Sequence, residues 1–336
     1  MNVLLTGGTG YIGSHTAVTL AEAGHRVTLF DNLCNSQRDV VSRLEKITGQ
    51  AITFVEGDVR DTALLSTTLR QHKIDAVIHF AGLKAVADSV AHPVDYFATN
   101  VQGSISLLQA MQANHIKTLV FSSSATVYGV PQYLPYDEAH PTNAINPYGR
   151  TKLHVEGMLS DLAASDPVWS IAVLRYFNPV GAHNSALIGE LPNGVPNNLM
   201  PYLVQVASGR LRELRVFGGD YETRDGTGER DYIHVMDLAE GHLAALDFLS
   251  EHTGWHAFNL GTGNSTSVLE LVHTFESVTG KAIPVKIVER RAGDLPAYYA
   301  KPAKAHQVLG WKAKRGVKEM CLSAWCWEVG YSHDAN

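Results

Sequence analysis

A chain of 336 residues is long for one ordinary domain and a natural length for two. With 45% hydrophobic and 18% charged residues it reads as a folded soluble protein and not a disordered one. A net charge of -6 leaves no overall basic field to favour nucleic acid, and no apolar run approaches the ~20 residues of a membrane helix.

The first half alternates strand and helix. Val3–Thr6 reads as a short apolar strand running into glycines, and Tyr11–Ala23 as the helix after it. Strands follow at Arg26–Phe30, Ile52–Val55, Asp75–Phe80 and Lys117–Phe121. Helical stretches lie between, notably Thr62–Gln71 and Tyr96–Asn114. Such alternation predicts an α/β fold with a doubly wound parallel sheet. Ligands of such sheets sit beyond the carboxyl ends of the strands. Gly7, Asp31, Asp58, Ala81 and Ser124 all fall there. After Phe177 the chain turns rich in Asn, Gly and Pro over 178–201, and 219–230 is equally loop-like. A helix near Asp237–Leu249 and a strand at Ala257–Leu260 return to the first sheet. The expected division is 1–177 with about 230–262 for a nucleotide-binding domain. The rest, 178–229 with about 263–336, forms a smaller, mixed substrate domain.

Gly7-Gly8-Thr9-Gly10-Tyr11-Ile12-Gly13 fits G-x-G-x-x-G between the first strand and the first helix. Glycines let the backbone approach a pyrophosphate, and the helix start supplies amides and partial positive charge. Asp31 ends the second strand, where it can accept both ribose hydroxyls of an adenosine. Its charge repels a 2′-phosphate, and no arginine precedes Arg38, so NAD is favoured over NADP. Asp58, at the end of the third strand, either contacts adenine or caps the helix near Asp61.

Asn146-Pro147-Tyr148-Gly149-Arg150-Thr151-Lys152 reads as a helix start, with Asn146 as cap and Pro147 in the first turn. Tyr148 and Lys152 then share one face. A free phenol titrates near 10, so work at neutral pH needs ~3 units of help. Lys152, the helix start and a positive nicotinamide ring are the expected sources. On an ordinary helix such a pair is surface. Behind a nucleotide loop and beside Ser124 it is a base that removes a hydroxyl proton as hydride leaves the same carbon.

The chain resembles the extended short-chain dehydrogenase/reductase family over nearly its whole length, and within it the enzymes that invert C4 of UDP-hexoses. The most specific stretches are His79–Lys84, Ser122–Gly129, Tyr176–His183, Pro196–Pro201, Arg230–Asp237 and Gly293–Ala300. The resemblance implies a Rossmann domain holding NAD, with Tyr148 as base, Lys152 orienting the cofactor ribose and Ser124 binding the reacting hydroxyl. It implies cofactor contacts from Gly7, Gly10, Tyr11, Ile12 and Gly13, from Asp31, Asn32, Asn35 and Ser36, and from Asp58 and Val59. Phe80, Ala81, Gly82, Lys84, Thr99 and Phe177 complete that set, beside Ser124, Tyr148 and Lys152. For the substrate it implies Ser124 and Tyr148 with Asn178, Asn198 and Leu199 around sugar and diphosphate. Arg215, Val216 and Phe217 border uracil, Arg230 and Arg291 serve the pyrophosphate, Asp294 a ribose, and Tyr298 the sugar, with Tyr232 also in the substrate-binding set. UDP-glucose and UDP-galactose are the implied substrates, interconverted through a 4-keto sugar in galactose metabolism. A homodimer through helices near 96–113 and 148–163 is implied too.

Two departures stand out. Thr99 occupies a position where these enzymes usually carry asparagine near the nicotinamide. The loop between Tyr128 and Tyr148 is about one residue short. A nucleotide-sugar 4,6-dehydratase is the nearest rival on this fold. It needs Asp-Glu directly before the Val-Tyr-Gly run, where this chain has Ala125-Thr126. A non-catalytic NAD-binding regulator is the rival of another class, and the Tyr148/Lys152 pair argues against it. The sixteen histidines show no metal-ligand spacing, so no metal is expected. Cys34, Cys321 and Cys326 make no even framework and read as thiols in a reducing compartment. The amino terminus lacks the basic start and apolar core of a signal peptide, and a cytoplasmic location is expected.

Overall fold

The computed structural model describes residues 1–334 except Asn193, Val195, Asn197 and Ala292. Strand β1 (Asn2–Thr6) runs into the glycine loop and helix α1 (Tyr11–Glu22). Then come β2 (Arg26–Asp31), α2 (Asp39–Thr48), β3 (Thr53–Glu56), α3 (Thr62–Gln71) and β4 (Ala76–His79). Helices α4 (Val86–Ala91), α5 (Pro93–Tyr96) and α6 (Gly103–Ala113) lead to β5 (Thr118–Ser124). Past a long loop lie α7 (Pro147–Ser165) and β6 (Ser170–Tyr176). The second half holds β7 (Asn178–Val180), α8 (Leu199–Ala207), β8 (Leu214–Phe217), β9 (Glu229–Arg230), β10 (Tyr232–His234) and α9 (Val235–Leu249). It closes with β11 (Gly254–Leu260), β12 (Thr266–Ser267), α10 (Val268–Thr279), β13 (Val285–Val288), β14 (Ala297–Tyr298), α11 (Ala303–Leu309) and α12 (Val317–Asp334).

Seven strands form one sheet in the order β11-β6-β5-β4-β1-β2-β3, and every pairing in it is parallel. The doubly wound sheet expected from the alternation is therefore present. Its order reverses between β1 and β4, which opens a crevice at the carboxyl ends of those strands. Alternate residues go to opposite layers. Val3 and Leu5 join Ala17, Val18 and Leu246 on the side of α1 and α9, whereas Leu4 joins Leu65, Leu107 and Leu159 on the side of α3, α6 and α7. Burying such a side chain on each face contributes about 1.5–3 kcal/mol, which fixes the register of β1.

A third cluster gathers α8, α10 and α12 over β8, with Leu203, Val216, Leu271, Phe275 and Met320. Small sheets join this region to the first: β7 with β10, β9 with β12 and β14, and β8 with β13. Helix α11 packs back on β11 and α9, so Ala305 and Trp311 belong to the first core. Among the described residues no helix is long and apolar enough to cross a membrane.

Several expected boundaries shift. The helix foreseen over Tyr96–Asn114 is three pieces: the end of α5, a π-helical turn at Phe97–Gln102, and α6. π-turns gather at functional sites, and this one carries Thr99. Gly103 follows it where an added Cβ would stand 2.5 Å from Val59 Cγ1. Strand β5 reaches Ser124, three residues past its expected end, so all three serines are strand residues. Strand β6, unforeseen, pairs with β5 and β11 at the middle of that half of the sheet.

Candidate active site

The glycine loop is built for close approach. Gly7 has φ +69°, and a Cβ there would stand 2.7 Å from the Ala81 amide nitrogen. The end of β1 thus lies against the Phe80-Ala81-Gly82 turn, with Ala81 N donating to Thr6 O at 3.0 Å. Gly13 packs on the Gly7 carbonyl, leaving no room for a side chain. Gly10 begins α1 without a side-chain cap, and no acidic residue stands in the first turn. The amides of Tyr11, Ile12 and Gly13 are therefore left for an anion. This cradle fits a dinucleotide pyrophosphate. Gly7→Ala should weaken NAD retention at least ~tenfold and lower Tm, because a left-handed alanine alone costs about 1–2 kcal/mol. Dissociation of NAD from the purified variant checks it, and wild-type retention would remove the cradle from the binding site.

Asp31 is nearly buried at the end of β2. Its carboxylate accepts from Thr9 N at 3.2 Å, Leu33 N at 2.9 Å and Ser36 Oγ at 3.3 Å. Asn32 Nδ2 donates to Asp58 Oδ2 at 3.2 Å. Arg60 grips Asp58 through Nε and Nη2 at 2.8 and 2.7 Å, and its guanidinium holds that carboxyl at about 2. Asp58 is not the cap of α3; Asp61 is, accepting from Leu64 N at 2.9 Å. Arg38 pairs with Glu56 at 2.9 Å. Both nearby cations are thus matched by carboxylates, in keeping with an unphosphorylated ribose. Asn35 is exposed, whereas Val59 is 5% exposed in the second core and Ile12 packs on the first. The side chains of Val59 and Ile12 support the loops and leave backbone to face a ligand.

Ser124, Tyr148 and Lys152 converge at the end of β5. Asn146 Oδ1 accepts from Gly149 N at 2.8 Å and Pro147 stands in the first turn, so α7 begins as expected. Tyr148 is half-buried, with its amide donating to Ser89 Oγ at 3.2 Å. Burial pushes its phenol up to about 12, the Ser124 hydroxyl draws it down, and Tyr298 adds to the rise. Lys152 is 5% exposed, and its Nζ donates to Ser122 O at 2.7 Å. Burial lowers it to about 8, opposed by the Glu156 carboxylate. The protein alone therefore holds Tyr148 as a phenol.

Asn100, which sequence reasoning passed over, fixes this corner. Its Oδ1 accepts from Leu83 N at 2.8 Å, and its Nδ2 donates to Leu83 O and Thr151 Oγ1, both at 3.0 Å. The π-turn bearing Thr99 is so tied to the Lys84 loop and to α7. An asparagine in an otherwise helical stretch was its one signal.

On the substrate side, Asn178 opens β7 and is held by its amide to Asp231 O at 2.9 Å. Its Oδ1 is buried with no partner among the described residues, as expected of an atom awaiting a ligand. The Arg230 guanidinium lies 4.5 Å over the Tyr298 ring, and Arg291 lies 3.7 Å over Phe217. Tyr298 stands 6.2 Å from Phe177 between ring centres. Asn198 Nδ2 and Lys84 Nζ both reach Glu190 Oε1, at 3.0 and 3.1 Å, so one unforeseen carboxylate joins the two halves of the cleft. Strand β8 turns Arg215 outward and Val216 into the third core at 2% exposure. Tyr232 is 4% exposed in the same core. The side chains of Val216 and Tyr232 are taken up by the core under α8, α10 and α12, which leaves the backbone at these positions to face a ligand. Leu199 likewise packs against that core. Asp294 N donates to Arg291 O at 3.2 Å. Asn197, within the Pro196–Pro201 stretch, lies outside the described residues. Among the described residues no group of three His, Cys, Asp or Glu side chains is placed to hold a metal ion.

Comparison with known proteins agrees with this geometry. A family described as GDP-mannose 4,6 dehydratase matches residues 4–323. A UDP-glucose 4-epimerase of Bacillus subtilis (strain 168) is 54% identical over 328 residues, 98% of this chain and 97% of that protein. Among solved structures, a UDP-glucose-4-epimerase from Stenotrophomonas maltophila with bound NAD and formylated UDP-arabinopyranose superposes with TM-score 0.98. It is 53% identical and covers 99% of each chain. One from Bifidobacterium longum in complex with NAD+ and UDP gives 0.96 at 47% identity, again over 99% of each.

Proposed function

The chain belongs to the UDP-glucose 4-epimerase family of extended short-chain dehydrogenases/reductases, and from that membership we infer that it inverts C4 of a UDP-hexose reversibly and without net redox change. The observation that carries the mechanism is the convergence of Ser124, Tyr148 and Lys152 at the end of β5, beside a glycine cradle. The cradle would hold NAD, which would supply the hydride acceptor and donor for C4. Tyr148 takes the proton of the 4-hydroxyl as the hydride leaves and gives it back on return. Ser124 donates to the same oxygen and steadies its charge. Lys152, one helical turn along α7 from Tyr148, supports the phenolate and the cofactor ribose. The 4-keto sugar turns over between the two transfers while its UDP stays held, so that the opposite face meets the hydride. Arg230 and Arg291, seated on aromatic rings, supply cations for the diphosphate, and Asn178 Oδ1 and Asn198 supply polar contacts.

The dehydratase description of the family does not carry over to the chemistry. Elimination of water needs a carboxylic acid and a carboxylate beyond the redox pair. Ala125 is buried and has none, and Thr126 Oγ1 is spent on Ser124 Oγ at 3.0 Å.

UDP-glucose and UDP-galactose are the proposed pair. Cofactor binding is assigned to 1–177 with about 230–262, and nucleotide-sugar binding to 178–229 with about 263–336. The family likeness supports a homodimer through helices near 96–113 and 148–163 and a cytoplasmic site of action. The test is incubation of purified protein with UDP-galactose without added reductant, followed by NMR of the sugar. UDP-glucose should accumulate to equilibrium. An unchanged C4 configuration with NAD bound would overturn the assignment.

A further inference from the structure

Three consecutive serines at the end of β5 each engage one residue of α7. Ser124 meets Tyr148, the Ser122 carbonyl accepts from Lys152 Nζ at 2.7 Å, and Ser123 Oγ donates to Glu156 Oε1 at 2.5 Å. Positions 148, 152 and 156 follow one another at one-turn intervals along a single helix face. Glu156 is thus the next member of the row that begins with the base and its lysine.

Glu156 is also clamped from β6. Arg175 Nη2 donates to its Oε2 at 2.6 Å, and Arg175 Nε reaches Oε1 and Oε2 at 3.1 and 3.3 Å. The two side chains are 4% and 5% exposed. Arg175 Nη1 continues to Tyr128 Oη at 3.0 Å, and Tyr128 donates to Asn259 Oδ1 on β11 at 2.7 Å. Taking an ion pair this far out of water commonly gives no more stability than an apolar pair of the same volume. A buried pair one turn from the catalytic lysine calls for another reason.

We propose that Glu156, held by Arg175 and Ser123, is a positioning residue for the epimerisation, fixing the charge and the seat of Lys152 beside Tyr148. Burial lowers Lys152 to about 8, and among the described residues Glu156 is the charged group that opposes it. The other titratable groups around this face act differently. His79 on β4 is kept neutral by burial, as are the phenols of Tyr128 and Tyr176. Glu138 and Lys304 act on Arg175's side of the network. Without the Glu156 charge Lys152 loses its proton more easily, the phenolate of Tyr148 loses its cation, and the base form needs a higher pH.

The inference rests on Tyr148 being the base, and the experiment separates the two. In the NAD-loaded enzyme, Glu156→Gln keeps the shape and the Ser123 contact but removes the charge. Two quantities are followed against pH: kcat, and the ultraviolet difference absorbance of the Tyr148 phenolate, taken against Tyr148→Phe in the same background. Expected are a fall in kcat of about tenfold at pH 7, equivalent to one pH unit, recovery at alkaline pH, and a phenolate titration displaced upward. Glutamine leaves Arg175 buried without its anion, so Glu156→Gln/Arg175→Met is the companion that relieves the fold, and it should show the same displacement. Glu156→Asp, which keeps the charge, should bring the acid limb back toward wild type. A loss equal at every pH, or an unmoved phenolate titration in either variant, would reduce the pair to packing. Retention of turnover in Tyr148→Phe would instead overturn the base assignment itself.

Discussion

Tyr148→Phe should lower kcat by at least ~10²-fold while leaving fold and NAD content intact, since a positioned general base is worth 10²–10⁴. The ring stays in place at the start of α7, and only the hydroxyl that meets Ser124 is lost. A neutral hydrogen bond of that kind contributes about 1 kcal/mol to stability, so Tm should move little. Burial holds the free phenol well above its ordinary value, so at neutral pH the unaided protein carries it protonated. Turnover in wild type should therefore rise with pH through the neutral range, and the variant should lose that limb. The check is kcat against pH with NAD content and Tm measured alongside. Near-native turnover at unchanged cofactor content would take Tyr148 out of the mechanism.

Much of this site was legible in the sequence because backbone rules leave marks. Asn146-Pro147 marks a helix start, and α7 begins at Pro147. The glycines mark a tight approach, and Gly7 meets Ala81. Helix α3 matches its expected span, with Asp61 as its cap. What stayed hidden depends on contacts distant in the chain. Strand β6 lies in the apolar run Ser170–Tyr176, buried on both faces, where periodicity does not separate strand from helix. Helix α2 lies largely on the surface with Leu44 its one fully buried residue, and its start has no side-chain cap. The π-turn at Phe97–Gln102 has no signature of its own. Asn100, Glu190, Glu156 and Arg175 act chiefly through partners far along the chain, as Asn100 with Leu83, 17 residues away, and Glu190 with Lys84, 106 residues away, show. Alternation along β8 turns the Val216 side chain into the third core between Arg215 and Phe217, a direction the resemblance alone does not give.

Wild-type protein should prefer UDP-galactose over UDP-N-acetylgalactosamine by on the order of 10²-fold in kcat/KM, and Tyr298→Cys should narrow that gap. Tyr298 stands on β14 opposite Arg230 of β9, half-buried, with its ring toward Phe177 and its hydroxyl acting on Tyr148. It therefore lines the space between the base and the second domain, where the family resemblance puts the sugar. An acetamide there needs volume that a packed aromatic wall does not yield by compression. Discrimination built on size in a pocket runs to about 10–200-fold per misfitting group. The Arg230 guanidinium over the same ring, at 4.5 Å, adds a second consequence. Removing the ring frees Arg230, so Tyr298→Cys should raise KM for both sugars while the ratio between them shifts toward the acetylated one. A ring that merely supports Arg230 would raise both KM values and leave the ratio alone. The measurement is kcat/KM for both substrates in both proteins. Equal efficiency on the two in wild type would end the gate reading and leave the epimerase assignment standing.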